Sequence, residues 1–159
     1  MKKILATILA LVLALGLCTS AWATETVTVM TESDLKNAID AGGAVTLGDD
    51  ITVTTTLSVT KDLEVNLNNH TLTGAGSVIL VQGAKLVVNG PGTIKEKNPD
   101  YGAIAVKGSN KAEDMNYTTV EVNKDVVLEA WAPIFVTPYQ SSGAPYAYGV
   151  TITVNGATL

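Results

Sequence analysis

A repeat of short apolar strands constrains the fold of this chain more than any other feature. In one register an apolar residue is usually followed by Asn or Gly, a turn and another short strand. The equivalent residues of this register lie 20, 21, 34 and 32 residues apart, and they are Leu47, Leu67, Val88, Val122 and Val154. The equivalent residues of a second, interleaved register lie 22, 25 and 30 apart, and they are Leu57, Ile79, Ile104 and Ile134. Each period therefore holds about three short strands joined by Gly, Asn, Asp or Pro turns.

Three strands in each period predict an all-β protein whose residues 44–159 form a right-handed parallel β-helix. Stacking equivalent strands about 4.8 Å apart pairs each backbone group with the coils on either side, and the inward Leu, Ile and Val columns then share one core. A leucine-rich repeat would require a helical segment in every period. An antiparallel β-sandwich would not explain two interleaved registers. Both alternatives explain less of the pattern.

The two ends of the predicted β-helix differ. Residues 24–43 begin with an alternating strand and continue into one short helix, which Thr31 or Ser33 can cap and which Gly42 and Gly43 end. We expect this helix to cap the first coil. At the other end Leu159 falls inside a coil, so we expect a β-helix that is uncapped or truncated there. Such an open coil could pair with another chain, which would be a route to self-association.

Residues 1–23 have the order of a secretory signal peptide. Two lysines precede an apolar run from Ile4 to Leu17, and the small-residue site Ala21-Trp22-Ala23 follows. The run has fourteen residues, whereas a membrane span needs roughly 18 or more. We therefore predict cleavage after Ala23, no transmembrane anchor after processing, and a secreted or cell-surface protein. Lipidation at Cys18 is the weaker alternative, because a leucine precedes that cysteine.

Charge and cysteine content exclude several classes of function. Cys18, the only cysteine, leaves with the leader, so the remaining chain has no thiol chemistry. Eight lysines then face fifteen acidic residues, a net charge of about −7, and the chain has no arginine. Such a chain repels phosphate, so we expect no nucleic-acid partner. The sequence indicates no cofactor.

Four turns carry an asparagine after an apolar strand. We expect Asn68, Asn89, Asn123 and Asn155 to occupy matching positions, where their amides bond to the neighbouring coil. A structural ladder of this kind leaves the side chains little capacity for ligands.

Three segments carry a resemblance to a known family. They are Val45-Thr46-Leu47-Gly48-Asp49-Asp50-Ile51, Leu63-Glu64-Val65-Asn66-Leu67-Asn68-Asn69-His70-Thr71-Leu72-Thr73-Gly74 and Leu86-Val87-Val88-Asn89-Gly90-Pro91-Gly92-Thr93-Ile94. They resemble the amino-terminal modules of bacterial exported proteins in the pectate-lyase-like (pectin lyase fold) superfamily, over about Thr31 to the end. The resemblance implies a parallel β-helix and an extracellular setting. It does not specify an activity, since this superfamily includes lyases, hydrolases, tailspikes and adhesins.

The catalytic groups that the resemblance implies are incomplete in this chain. Pectate lyases abstract a proton with an arginine, a residue that is missing here. The hydrolase branch uses paired aspartates and a histidine, and Asp49-Asp50 with His70 is the one similar set. Adjacent residues of a strand point to opposite sides, so two neighbouring aspartates do not form an acid and base pair across a glycosidic bond. We expect turn residues here, with no catalytic residue and no metal site.

Aromatic residues in and beside the longest loop form the candidate binding surface. They are Trp131, Tyr139, Tyr146 and Tyr148. Such rings either anchor a loop onto the core or stack on sugar faces. The leading hypothesis is a non-catalytic surface module for adhesion or glycan recognition, whose partner is a glycan or a host or cell-surface ligand. The alternatives are a fragment of a polysaccharide-degrading enzyme and a structural spacer.

Overall fold

A computed structural model describes residues 26–98, 100–108, 117–137 and 147–159. The predicted signal peptide, most of the segment from Gly108 to Tyr117 and most of the segment from Pro138 to Tyr148 lie outside these ranges. The described residues form one helix, α1, at Glu32–Ala41. The strands are β1 Val27–Val29, β2 Gly43–Leu47, β3 Ile51–Thr52, β4 Leu57–Val59, β5 Leu63–Asn66, β6 Thr71–Gly74, β7 Ile79–Gln82, β8 Lys85–Asn89, β9 Gly92–Glu96, β10 Gly102–Lys107, β11 Thr118–Val122, β12 Val126–Glu129, β13 Ala132–Thr137 and β14 Val150–Val154.

The strands form three sheets, and every pairing between them is parallel. Sheet A has the order β1-β2-β5-β8-β11-β14, sheet B the order β3-β6-β9-β12 and sheet C the order β4-β7-β10-β13. From β2 onward the chain therefore visits sheets A, B and C in turn, and each strand pairs with the strand three positions later. We call one passage through the three sheets a circuit. The prediction of a mostly β protein with parallel strands is confirmed.

The alternation of apolar and polar residues places one shared core between the sheets. In β4, Leu57 and Val59 are buried and Ser58 between them is exposed. The second predicted register is confirmed, because Leu57 pairs with Ile79, Ile79 with Ile104, and Ile104 with Ile134. Inward residues of neighbouring circuits thus lie directly above one another, as stacking of parallel strands requires.

The first predicted register is wrong by two residues in the first circuits. Val88 pairs with Val65, which in turn pairs with Val45, so Leu47 and Leu67 are not the equivalents of Val88. All five side chains are buried. Because side chains alternate with a period of two, a shift of two residues leaves the same face inward, and the apolar pattern does not distinguish the two alignments.

The amino-terminal elements follow from their capping residues. The hydroxyl of Thr31 accepts a hydrogen bond from the Asp34 N–H, which caps α1 as predicted. The helix ends at Gly42, whose positive φ of 78° suits glycine. Leu35 and Ile39 are buried, and α1 packs against β1, β2 and β4 in the first circuit. No helix within the described ranges is long and apolar enough to span a membrane.

An asparagine ladder lines the turns that lead from sheet A to sheet B. The side-chain amide of Asn155 donates to Asn123 at 2.8 Å, and that of Asn123 donates to Asn89 at 2.8 Å. Asn68 was predicted in this ladder, but the equivalent of Asn89 is Asn66. Asn68 instead has a φ of +49° in the turn and donates to the carbonyl of Leu47. Its place in the turn follows from the two-residue shift described above.

Candidate functional site

An open groove runs across the outer face of sheet C and encloses about 600 Å³. Its floor is a column of outward side chains from four successive strands. The column is paired in register and consists of Ser58, Leu80, Ala105 and Phe135. Neighbouring strands lie about 4.8 Å apart, so this floor is about 14 Å long in the direction that crosses the strands. Residues that alternate outward on separate circuits thus form one continuous surface.

The wall of the groove is formed by the turns that lead from sheet B to sheet C. Gly76, Asn98, Tyr101 and Trp131 contribute to it from three circuits. Tyr101 is 48% exposed, Trp131 76% and Phe135 on the floor 44%. Rings exposed to this degree provide flat apolar surfaces, and those of Tyr101 and Trp131 also carry a polar group, which suits stacking on the face of a sugar ring.

The electrostatics of the groove favour a ligand without negative charge. Asp100 is the only charged side chain among the described residues that line the groove. The remaining lining side chains are hydroxyl, amide, aromatic and small apolar groups. A carboxylate ligand would meet Asp100 with no cation from the described lining to compensate it, so its desolvation would oppose binding.

The predicted aromatic cluster is divided in the structure. Trp131 lies in the groove wall, immediately before β13. Tyr148 is half-buried, lies two residues before β14 of sheet A and is not among the lining residues. The backbone of Ala147 and Tyr148 packs on Gly108. A Cβ added at Gly108 would lie 2.8 Å from the Ala147 backbone and 2.9 Å from the Tyr148 carbonyl oxygen. The other two predicted residues, Tyr139 and Tyr146, lie outside the described residues.

Sequence reasoning missed Tyr101 and Phe135, although a signal for each is present. Phe135 stands between Ile134 and Val136, and the inward position of Ile134 already implied that Phe135 faces outward. Tyr101 belongs to the same type of turn as Trp131, one circuit earlier. Counting outward aromatic residues circuit by circuit would have found both.

The aspartate and histidine set lies away from the groove. Asp49 and Asp50 are exposed in the turn between β2 and β3, where the Asp50 N–H donates to the Asp49 carboxylate. His70 Nδ1 lies 3.5 Å from Asp50 Oδ1, which also accepts the N–H of Thr71 at 2.8 Å. Asp50 thus serves to connect two turns. Nowhere in the described ranges do three His, Cys, Asp or Glu side chains converge as metal ligands would.

Comparison of the chain with protein-family models, curated proteins and solved structures yields no match.

Proposed function

We propose that this protein is a non-catalytic module, secreted or held at the bacterial cell surface, that binds an uncharged glycan in the groove on sheet C. The observation that supports the proposal is the exposure of Trp131 beside Tyr101 and Phe135 on neighbouring circuits. The leader sequence supports export. A surface glycan of the same or another cell is then the partner, and adhesion is the consequence of binding.

The proposal includes a finer fold assignment, a right-handed parallel β-helix of the pectate-lyase-like type. From β2 onward each strand pairs in parallel with the strand three positions later, so each of these pairings requires a crossover through the other two sheets. Crossovers between parallel strands are right-handed in about 98% of cases. The segments that resemble the pectate-lyase-like superfamily point to the same fold.

The small number of acidic groups in the groove favours a binding role over cleavage of a glycan. Cleavage of a glycosidic bond requires two carboxyl groups placed on either side of the bond. Among the described residues, the groove lining offers the single carboxylate of Asp100. The charge of the chain also favours an uncharged ligand over pectate or another polyanion, because fifteen acidic residues and no arginine repel negative charge.

A glycan array tests the proposal directly. The purified protein would be compared with Trp131→Ala, with Tyr101→Ala and with Tyr117→Ala. Tyr117 is the matched control, because it is 66% exposed and does not line the groove. Loss of an aromatic stacking partner is expected to weaken binding about tenfold in the two groove variants, and the control should bind as the wild type does.

Two results of this array would contradict the proposal. One is a folded, β-rich protein that retains no uncharged glycan, which would favour a structural spacer. The other is equal binding by the wild type and both groove variants, which would place the ligand elsewhere. Release of reducing or unsaturated ends from a retained glycan would instead favour the enzyme alternative.

A further inference from the structure

Glu96 is an exception in the buried part of the chain. It is 7% exposed, and the other polar or charged residue among the described buried ones is Thr118. The pairing of β6, β9 and β12 gives the equivalent positions in the neighbouring circuits. In the preceding circuit Gly74 pairs with Glu96. In the following circuit Glu129 pairs with Lys95, so the next residue, Ala130, is the equivalent of Glu96. The circuits on either side therefore have glycine and alanine here, so stacking itself does not require a carboxylate.

The carboxylate of Glu96 joins two turns of the groove wall. Its Oε1 accepts the N–H of Gly76, in the preceding circuit, at 3.0 Å and the N–H of Asn98 at 2.5 Å. Both of these residues line the groove. Hydrogen bonds from backbone N–H groups to an ionised carboxylate are among the stronger ones in proteins.

The turn that Glu96 holds is the longest of its type in the described residues. Ile104 lies eight positions after Glu96, whereas Ile79 lies five positions after Gly74, although Glu96 pairs with Gly74 and Ile104 with Ile79. The additional residues carry Asp100 and Tyr101 into the groove wall. A longer turn has more conformations to lose, so it needs contacts that fix it.

Asn98 extends the effect of Glu96 to the residues that would meet a ligand. The side-chain oxygen of Asn98 accepts the N–H of Asp100 at 3.2 Å, and its carbonyl accepts the N–H of Tyr101 at 3.3 Å. The hydrogen bond from the Asn98 N–H to Glu96 therefore fixes Asn98, and Asn98 in turn fixes the backbone of Asp100 and Tyr101, whose side chains line the groove.

We infer that Glu96 is a positioning residue of the groove, which holds Asn98 in the wall so that Asp100 and Tyr101 face the ligand. This inference rests on the proposed glycan-binding function of the groove. The second oxygen, Oε2, is buried and has no hydrogen-bond partner among the residues that the structure describes. Burying an unpartnered acceptor destabilises a fold, so the contribution of Glu96 lies in the turn and not in the core.

Amide hydrogen exchange of the purified protein tests the inference without any ligand. Glu96→Ala removes the acceptor of the Gly76 and Asn98 amides, and we expect both to exchange at least about tenfold faster while the amides of β8 keep their protection. Glu96→Gln keeps one acceptor oxygen and should restore slow exchange. Asp62→Ala is the matched control, because Asp62 Oδ1 also accepts a backbone N–H, that of Lys85 at 2.9 Å, and neither residue lines the groove. This variant should leave the exchange of the Gly76 and Asn98 amides unchanged.

A second variant covers the case in which Glu96→Ala does not fold. Glu96→Asp withdraws the carboxylate by one methylene group and should raise exchange at Gly76 and Asn98 alone. Unchanged exchange of these two amides in a folded Ala or Asp variant would overturn the inference. So would uniform acceleration throughout β8 in every variant. Because exchange is measured without ligand, a failure of the wild type to bind glycans would contradict the proposed function and leave the assignment of Glu96 standing.

Discussion

Replacing Val88 with alanine would test whether equivalent strands of neighbouring circuits share one core. Val88 has no exposed surface and lies in register between Val65 and Val122. The substitution shortens the side chain by the equivalent of two methylene groups, and burial of each stabilises the fold by about 0.8 kcal/mol. The cavity that remains adds to this loss, so we expect a decrease of about 2 to 3 kcal/mol in the free energy of unfolding.

Val127→Ala is the matched control for that substitution. Val127 is 37% exposed and faces outward on sheet B, opposite Thr93. Both substitutions change strand propensity equally, so the control should lose less than about 1 kcal/mol. Urea unfolding followed by circular dichroism measures both, with an unchanged slope as evidence that the folded and unfolded states are comparable. Equal losses at the two positions would refute the shared core.

Two further predictions concern the asparagine ladder and the amino-terminal helix. Asn123→Ala removes two ladder hydrogen bonds and should cost about 1 to 3 kcal/mol in urea unfolding. Asn155→Ala removes one ladder bond and a longer bond of 3.3 Å to Glu121, both at exposed atoms, so it should cost less, and equal costs would contradict this. Hydrogen bonds from Lys36 and then from the Thr54 N–H lower the pKa of Glu32 from 4.5 to about 2. Because the pKa of Glu32 is lowered on folding, its ionised carboxylate stabilises the fold above pH 4.5, and this contribution is lost as the pH falls towards 2. The melting temperature of Glu32→Gln should therefore fall less than that of the wild type between pH 4.5 and pH 2. Equal falls in the two proteins would contradict this prediction.

The sequence predicted the strands well because the alternation of residues is itself a physical constraint. Leu57, Ile79, Ile104 and Ile134 each begin the same short motif, in which a second inward valine follows two residues later and a turn comes soon after. Their alignment could therefore be read directly, and it is confirmed. The same reasoning failed for Leu47 and Leu67. Each lies two residues from another buried valine in the same segment, and both choices bury the same face. Backbone pairing decides between them, and the apolar pattern alone does not contain that information.

The candidate site could be predicted only in part because it is assembled across circuits. Trp131 could be singled out as an aromatic residue beside a long loop, and it does lie in the groove wall. Its grouping with Tyr148 depended on distance along the chain. The extended strand β13 begins directly after Trp131, and Tyr148 lies just before a strand of a different sheet. Tyr101 is 30 residues away in sequence and yet lines the same groove, because one circuit separates it from Trp131.

The most direct test of glycan binding in the groove uses the fluorescence of Trp131. Trp22 precedes the predicted cleavage after Ala23, so Trp131 would be the only tryptophan of the processed chain. Titration with uncharged linear hexaoses, namely cellohexaose, xylohexaose and mannohexaose, should shift its emission to shorter wavelength in a saturable way for at least one of them, because stacking removes the exposed indole from water. Tyr101→Ala should weaken that response, and Tyr117→Ala should leave it unchanged. Emission that none of the three sugars alters in the folded protein would contradict the account.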